Sequence, residues 1–138
     1  KEDIVASTGL GKVNLTGHDD RIHVMGFKWS NDGRHIYFWA PINGTLQLFE
    51  VDYTGATMKL PVIRQVTKGD FDINGIAGQV GNTLIVSRAD MNHSPELYSV
   101  DIASGEMKQL THVNDEVYKI VIFFPTVCEM IYIQSVIF

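Results

Sequence analysis

The sequence has little of several features that large functional classes require. Its 138 residues include a single cysteine, Cys128, which excludes a disulfide scaffold and a zinc site built from several cysteines. Basic residues are few, with 11 Lys and Arg against 16 Asp and Glu and a net charge of −5. Because the chain offers no basic field to a phosphate backbone, we do not expect nucleic acid as a partner.

Helical periodicity is almost absent. Short stretches rich in β-branched and aromatic residues alternate instead with turn-forming clusters such as Asn43-Gly44 and Ser104-Gly105. This pattern predicts an all-β fold with eight central strands, at 24–29, 35–39, 46–52, 63–67, 73–79, 83–88, 96–101 and 107–111.

The eight predicted strands form two sets of four that repeat each other. Residues 48–52 (LFEVD) match 97–101 (LYSVD) at a distance of 49, and 65–67 (QVT) match 109–111 (QLT) at a distance of 44. Repeats of about 40–50 residues with four strands each are typical of β-propeller blades, which must stack to bury both faces. We therefore predict an all-β fragment of a β-propeller, with about two complete four-stranded blades and partial blades at both ends. An ordinary β-sandwich is the alternative.

The repeat also divides the chain into segments. Residues 1–16 are predicted to end a preceding blade, 24–69 to form one blade and 73–113 the next. The first strand of a further blade is expected at 117–123, within the last segment, 115–138. Because closed propellers have about 4–8 blades, we expect the chain to be part of something longer.

The last 18 residues, 121–138, differ from the rest of the sequence. Thirteen of them are apolar and only Glu129 is charged. A membrane-spanning helix is not expected, because Pro125, Glu129 and Gln134 interrupt a segment already close to the minimum length. Two hypotheses stay open: these residues form buried strands of the next blade, or they are foreign to the parent protein. We favour the second.

One longer run resembles a known family. Residues 27–38 (FKWSNDGRHIYF) resemble a motif of TolB-like and prolyl-oligopeptidase-type propellers, and similar sequence continues at 40–52, 64–70 and 87–98. Over about residues 10–120 the chain resembles the N-terminal propeller of prolyl oligopeptidase family serine peptidases, of the bacterial dipeptidyl peptidase 5 or acylaminoacyl peptidase type.

The resemblance implies a supporting role in such an enzyme. In the family, a C-terminal α/β-hydrolase domain carries a Ser-Asp-His triad, and the propeller caps it and restricts peptide access. We expect that domain and peptide substrates as partners, and a periplasmic or secreted location. A TolB-like binding or scaffold propeller with no attached enzyme is the alternative. We also expect the fragment to self-associate through exposed strand edges.

The chain itself offers no catalytic machinery in its sequence. No G-x-S-x-G nucleophile elbow is present, and Cys128 lies in an apolar run that predicts an inert buried thiol. No catalytic, cofactor-binding or metal residue is assigned, and no cofactor or membrane partner is expected. Residues in connecting loops are the places where propellers put binding groups, and here they include Asp70, Asp72, Asp90 and His93. We expect the aromatic residues Tyr37, Phe38, Trp29 and Trp39 to form blade core rather than a base-stacking platform.

Overall fold

The computed structural model describes residues 5–7, 12–14, 23–53 and 62–119. Strands β1 (Val5–Ser7) and β2 (Lys12–Asn14) pair antiparallel. Residues 54–61 of the predicted first blade and residues 120–138 of the last segment lie outside the described residues.

Two four-stranded antiparallel sheets account for most of the described chain. The first contains β3 (Gly26–Trp29), β4 (His35–Ile42), β5 (Thr45–Asp52) and β6 (Ile63–Gln65) in sequence order. The second contains β7 (Asp72–Val80), β8 (Thr83–Asp90), β9 (His93–Asp101) and β10 (Met107–Gln109), also in sequence order. This is the fold predicted from the repeat, and each of the eight predicted strands overlaps an observed one.

A tight turn joins the two central strands of the first sheet. Asn43 and Gly44 connect β4 to β5 and have φ values of 51° and 84°. Two positive φ values in succession fit the right-handed twist of a hairpin, and Asn-Gly is the dipeptide that adopts them most readily. Strand β4 therefore continues to Ile42, beyond its predicted end at residue 39.

Strand β4 buries both of its faces. Ile36 and Phe38 belong to a cluster within the first sheet, where Phe38 stacks on Phe49 with ring centroids 5.2 Å apart. Tyr37 faces the other way, into a second cluster with Trp39 packed against it. The prediction that the aromatic residues of this segment form blade core is thus confirmed, and strict alternation is the reason that one strand serves two cores.

The second cluster joins the two sheets. It combines Tyr37, Leu48 and Val66 of the first sheet and its exit with residues of the second sheet, namely Ile73, Leu84, Val86, Val100 and Ile102. Burial of a large aliphatic side chain contributes roughly 1.5–3 kcal/mol, so this shared core is a major source of cohesion between the sheets. Consecutive blades of a propeller pack face to face in this way.

Hydrogen bonds between the sheets reinforce the shared core. The Leu46 amide donates to Asp72 Oδ1 over 2.7 Å, and the Asn31 amide donates to Gln79 Oε1 over 2.9 Å. Near the opposite edge, Arg64 Nη2 donates to the carbonyl of Ile102 over 2.8 Å. The two sheets are therefore connected near both of their edges.

The segment after the second sheet differs from its predicted structure. Residues 117 and 118 were expected in the first strand of a further blade, but helix α1 spans Asp115–Tyr118. Two acidic residues in its first turn favour a helix electrostatically. Asn114, which precedes the helix, is bound to Glu96 through both its amide and its side chain, at 2.9 and 3.0 Å. These contacts change the direction of the chain after the second sheet. The strand prediction is wrong for residues 117 and 118.

Candidate functional site

Two cavities adjoin the β8–β9 turn. One, of about 470 Å³, is lined by residues of the β4–β5 turn, of the connection between the sheets and of the β8–β9 turn. The other, of about 520 Å³, is lined by the ends of β8 and β9 and by residues of α1. Asp90 and His93 line both cavities.

The loop residues singled out in the sequence meet around the smaller cavity. Asp70, Asp72, Asp90 and His93 all line it. The prediction that they lie in connecting loops is right for Asp70 but wrong for the others, because Asp72 begins β7 and a turn of only two residues separates Asp90, which ends β8, from His93, which begins β9. Asp72 is engaged by the Leu46 amide and so has a structural role between the sheets. The side chains of Asp70, Asp90 and His93 are the other polar groups singled out in the sequence that line this cavity, and they are the candidates for contact with a ligand.

Asp90 and His93 form a fixed pair between the cavities. His93 Nδ1 lies 2.8 and 3.0 Å from the two carboxylate oxygens of Asp90, and the Asn92 amide donates to Asp90 Oδ1 over 2.8 Å. Burial acts to raise the pKa of Asp90, but the hydrogen bonds from Asn92 and His93 outweigh it and lower that pKa below its ordinary value. Asp90 is therefore a carboxylate at neutral pH.

A buried polar group, the Gln47 clasp (Gln47 with Thr67), holds the connection between the sheets. The Thr67 hydroxyl accepts the Leu48 amide and donates to Gln47 Oε1, each over 2.9 Å. Gln47 Nε2 then donates to the carbonyls of Gly69 and Phe71, at 3.0 and 2.8 Å. The clasp sets the path by which the chain leaves the first sheet for the second.

The same device recurs in the second sheet as the Glu96 clasp (Glu96 with Thr111). The Thr111 hydroxyl accepts the Leu97 amide over 2.8 Å and donates to Glu96 Oε2. Glu96 Oε1 accepts one hydrogen bond from the backbone amide of Asn114 and one from its side-chain amide. Glu96 follows Gln47 by the same 49 residues that separate the matched strands, so the clasp is part of the repeat.

The two clasps differ in chemistry. An amide nitrogen donates to carbonyl groups in the first, whereas a carboxylate accepts N–H groups in the second. The hydrogen bond from Thr111 is the main reason that the pKa of Glu96 lies below its ordinary value; burial acts to raise that pKa, and the hydrogen bonds from Asn114 help to outweigh it.

The Glu96 clasp predicts a specific dependence of stability on pH. Because the folded-state pKa is lowered, the contribution of Glu96 to the free energy of unfolding is complete above its ordinary value of 4.5 and is lost as the pH falls through the folded-state value. We expect Glu96→Gln to flatten the acid limb of the stability profile, measured by urea unfolding from about pH 6 to pH 3. The matched variant Glu106→Gln, at an exposed position, should keep the wild-type slope. An equally steep profile for Glu96→Gln would contradict the clasp.

Sequence reasoning missed Arg88, Gln47 and Glu96. Arg88 lies on β8, with its Cζ 4.2 Å from the centroid of the Phe71 ring and 4.6 Å from that of Tyr98. The sequence did contain a signal for the clasps, because the repeat aligns Glu96 with Gln47. For Arg88 no sequence signal was available, because the two rings come from a connection and from another strand.

The other candidates have local roles. Ser30 donates to Asp32 Oδ1 over 2.6 Å and accepts the His35 amide over 2.9 Å, so its hydroxyl stabilises the β3–β4 turn. His112 Nδ1 lies 3.0 Å from Asp115 Oδ2. The described ranges contain no group of three or more His, Cys, Asp or Glu residues placed to hold a metal ion. Within those ranges, no helix has the length and apolar character needed to cross a membrane.

Comparison with known proteins gives two findings. The chain is 34% identical over 80 residues to dipeptidyl-peptidase 5 of Porphyromonas endodontalis, an alignment that covers 58% of this chain and 11% of that protein. The structure is similar to the β-propeller domain of the Trilobed protease from Pyrococcus furiosus, which has an open velcro topology. That similarity has a TM-score of 0.57 at 23% identity and covers 80% of this chain and 31% of the other. No family model matches the sequence.

These comparisons bear on the predicted resemblance in complementary ways. The structural similarity establishes the propeller fold, and the sequence similarity connects it to a peptidase. The chain spans about a tenth of the length of the curated relative that it matches. It is thus a β-propeller fragment, and its resemblance to the propeller region of a prolyl oligopeptidase family peptidase is confirmed.

Proposed function

We propose that this chain is a non-catalytic segment of the propeller of a serine exopeptidase, of the dipeptidyl or acylaminoacyl type. In this proposal the propeller caps a separate α/β-hydrolase domain and limits entry to short peptides or peptide ends. The observation that carries the proposal is the 34% identity to dipeptidyl-peptidase 5 over 80 residues of a chain that folds as two blades.

The chemistry of the described residues supports a non-catalytic role. A serine nucleophile requires a base within hydrogen-bond reach. In the described part of the chain no serine hydroxyl is bonded to a histidine ring, and three histidines, His35, His93 and His112, are next to aspartates. The proposal therefore places the nucleophile in a different domain of the parent protein.

The coding sequence around this chain tests the proposal. We expect a G-x-S-x-G motif within the few hundred codons that follow, in one of the three reading frames, with Asp and His codons after it. The search covers every frame because residues 121–138 depart from the family pattern. Further blades followed by a stop codon, with no such motif, would instead support a TolB-like scaffold, which the comparisons do not favour.

The location proposed for the parent protein is periplasmic or secreted, and it rests on the resemblance alone. Fractionation of the native cells, followed by detection with an antibody to residues 23–53, would test it. Detection only in the cytoplasm would overturn this part of the proposal.

A second consequence concerns self-association. Leu48 and Val66 are buried between the sheets, but their counterparts Leu97 and Leu110 in the second sheet are 37% and 47% exposed. The face that would meet a further blade is therefore uncovered among the described residues, and a second copy of this chain has a matching apolar face to offer.

We expect the chain to associate with itself in a concentration-dependent manner. Leu97→Lys should shift the association to at least about tenfold higher concentration, because it places a charge on the apolar face. Val80→Lys, at an exposed site in the second sheet, is the matched control. Light scattering over a concentration series provides the measurement, and a wild-type chain that stays monomeric throughout would refute the expectation.

A further inference from the structure

Arg88 lines the larger cavity, and none of the described residues serves as its counter-ion. Its guanidinium is held between Phe71 and Tyr98, at 4.2 and 4.6 Å from the two ring centroids, and it lines the cavity of about 520 Å³. Within the described part of the chain, the Arg88 side chain forms no hydrogen bond and no ion pair. An arginine that is fixed by aromatic rings but has no acidic partner has its hydrogen-bond donors available.

The absence of an ion pair with Glu96 is informative. Arg88 and Glu96 are direct neighbours in the pairing of β8 with β9, a position where opposite charges commonly interact. The Glu96 carboxylate instead accepts hydrogen bonds from Thr111 and Asn114. The clasp thus removes the acid that would otherwise neutralise Arg88.

The other carboxylates of this cavity are also engaged. Asp90 accepts hydrogen bonds from the Asn92 amide and pairs with His93, and Asp115 lies 3.0 Å from His112. A register shift in the β8–β9 pairing separates Arg88 from Asp90. Bulges of this kind redirect side chains next to functional sites.

The aromatic wall around Arg88 is fixed by its own hydrogen bonds. The Tyr98 hydroxyl donates to Gln109 Oε1 over 3.1 Å, and Gln109 Nε2 donates to the carbonyl of Thr111 over 2.8 Å. These hydrogen bonds fix the position of the Tyr98 ring, and the fixed ring preorganises the guanidinium of Arg88. Preorganisation lowers the entropic cost of binding a ligand.

We infer that Arg88 binds a carboxylate group of a short peptide in this cavity. The planar guanidinium fork matches the two oxygens of a carboxylate, and the cavity volume is in the range of small-ligand sites. The nearby carboxylates of Asp90, Glu96 and Asp115 disfavour a doubly charged anion such as phosphate, because like charges repel. The choice of a peptide as the carrier of the carboxylate rests on the proposed function.

Titration of the full 138-residue chain, followed by NMR at the Arg88 Nε–Hε signal, tests this inference. The probes are N-acetyl-Ala-Ala with a free carboxyl end, its carboxyl-terminal amide, N-acetyl-Asp-Ala-amide and inorganic phosphate. We expect a saturable shift with at least one of the two carboxylate peptides and at least tenfold weaker binding of the amide. The peptide that binds identifies the carboxylate as main-chain or side-chain.

Two substitutions separate binding from folding. Arg88→Lys keeps the positive charge but lacks the fork, and Arg88→Gln lacks both, so affinity is expected to fall in that order. Arg64→Lys, which changes an arginine already paired with Glu50, should leave the affinity unchanged. Circular dichroism verifies that each variant is folded.

Three results would overturn the inference: equal binding of the acid and the amide, tighter binding of phosphate than of either carboxylate peptide, or wild-type affinity in folded Arg88→Gln. The coding-sequence test does not depend on this titration. A coding sequence without the motif would therefore count against the proposed function, whereas a failed titration would count against the Arg88 inference alone.

Discussion

Replacing Gly105 by alanine is expected to lower the free energy of unfolding by about 3 kcal/mol or more. Gly105 has a φ of 74°, and a Cβ built on it would lie 2.1 Å from the backbone carbonyl oxygen of Val66. The added methyl therefore combines left-handed backbone strain with a collision against the chain that leaves the first sheet. A backbone carbonyl cannot rotate out of the way as a flexible side chain could.

Gly81→Ala is the matched control for this substitution. Gly81 lies in the same sheet with a φ of 56°, but a Cβ there would meet no atom within 4 Å. Its expected cost is about 1–2 kcal/mol, from backbone strain alone. Urea unfolding followed by tryptophan fluorescence measures both variants. Equal costs at the two positions would show that the close approach of the sheets at Gly105 is absent.

Replacing Gln47 by leucine is expected to cost about 3 kcal/mol, the second large effect. Gln47 is buried, and leucine would leave the carbonyls of Gly69 and Phe71 and the hydroxyl of Thr67 without their partner. Each buried polar group that loses its partner costs about 1–3 kcal/mol. Because both carbonyls lie in the connection between the sheets, the change should also loosen the entry into β7.

The control is Gln65→Leu on the neighbouring strand. Gln65 is exposed, and its side chain donates to the carbonyl of Thr67 over 2.8 Å, one group against the three that Gln47→Leu would leave without their partner. We expect it to cost less than about 1 kcal/mol. Amide hydrogen exchange adds a local readout, in which Gln47→Leu accelerates exchange at Ile73. Comparable stabilities for the two variants would mean that the Gln47 clasp does not hold the connection.

The fold was predictable because the sequence repeats its turns as well as its apolar residues. Tyr37 and Phe38 were expected in the blade core, and the structure places them in two separate clusters on opposite faces of β4. Strand limits were less predictable. Strand β6 ends at Gln65, because the next two amides, of Val66 and Thr67, both turn to the carbonyl of Leu48.

The candidate site was predictable only in part. The position of Asp70 in a connection and the turn between Asp90 and His93 could be inferred from turn chemistry, but the convergence of the three residues on one cavity depends on how the sheets pack. The unpaired state of Arg88 depends on where the carboxylate of its cross-strand neighbour Glu96 turns. That orientation follows from Thr111 and Asn114, which are 15 and 18 residues away along the chain.

The helical turn at Asp115–Tyr118 shows where the repeat ceases to predict local structure. A strand was expected from the spacing, yet Asn114 is bound to Glu96 and the following residues are acidic. Local hydrogen bonding and charge decide the conformation there. Spacing alone carries no information about such interactions.

The central proposal is that this chain supports catalysis in a parent peptidase without performing it. The most direct measurement is an assay of the purified 138-residue chain on chromogenic dipeptidyl and acylaminoacyl substrates. The account predicts no turnover above the buffer control. Turnover that persists through purification and is abolished by a single substitution in this chain, such as Ser94→Ala or His93→Ala, would contradict it.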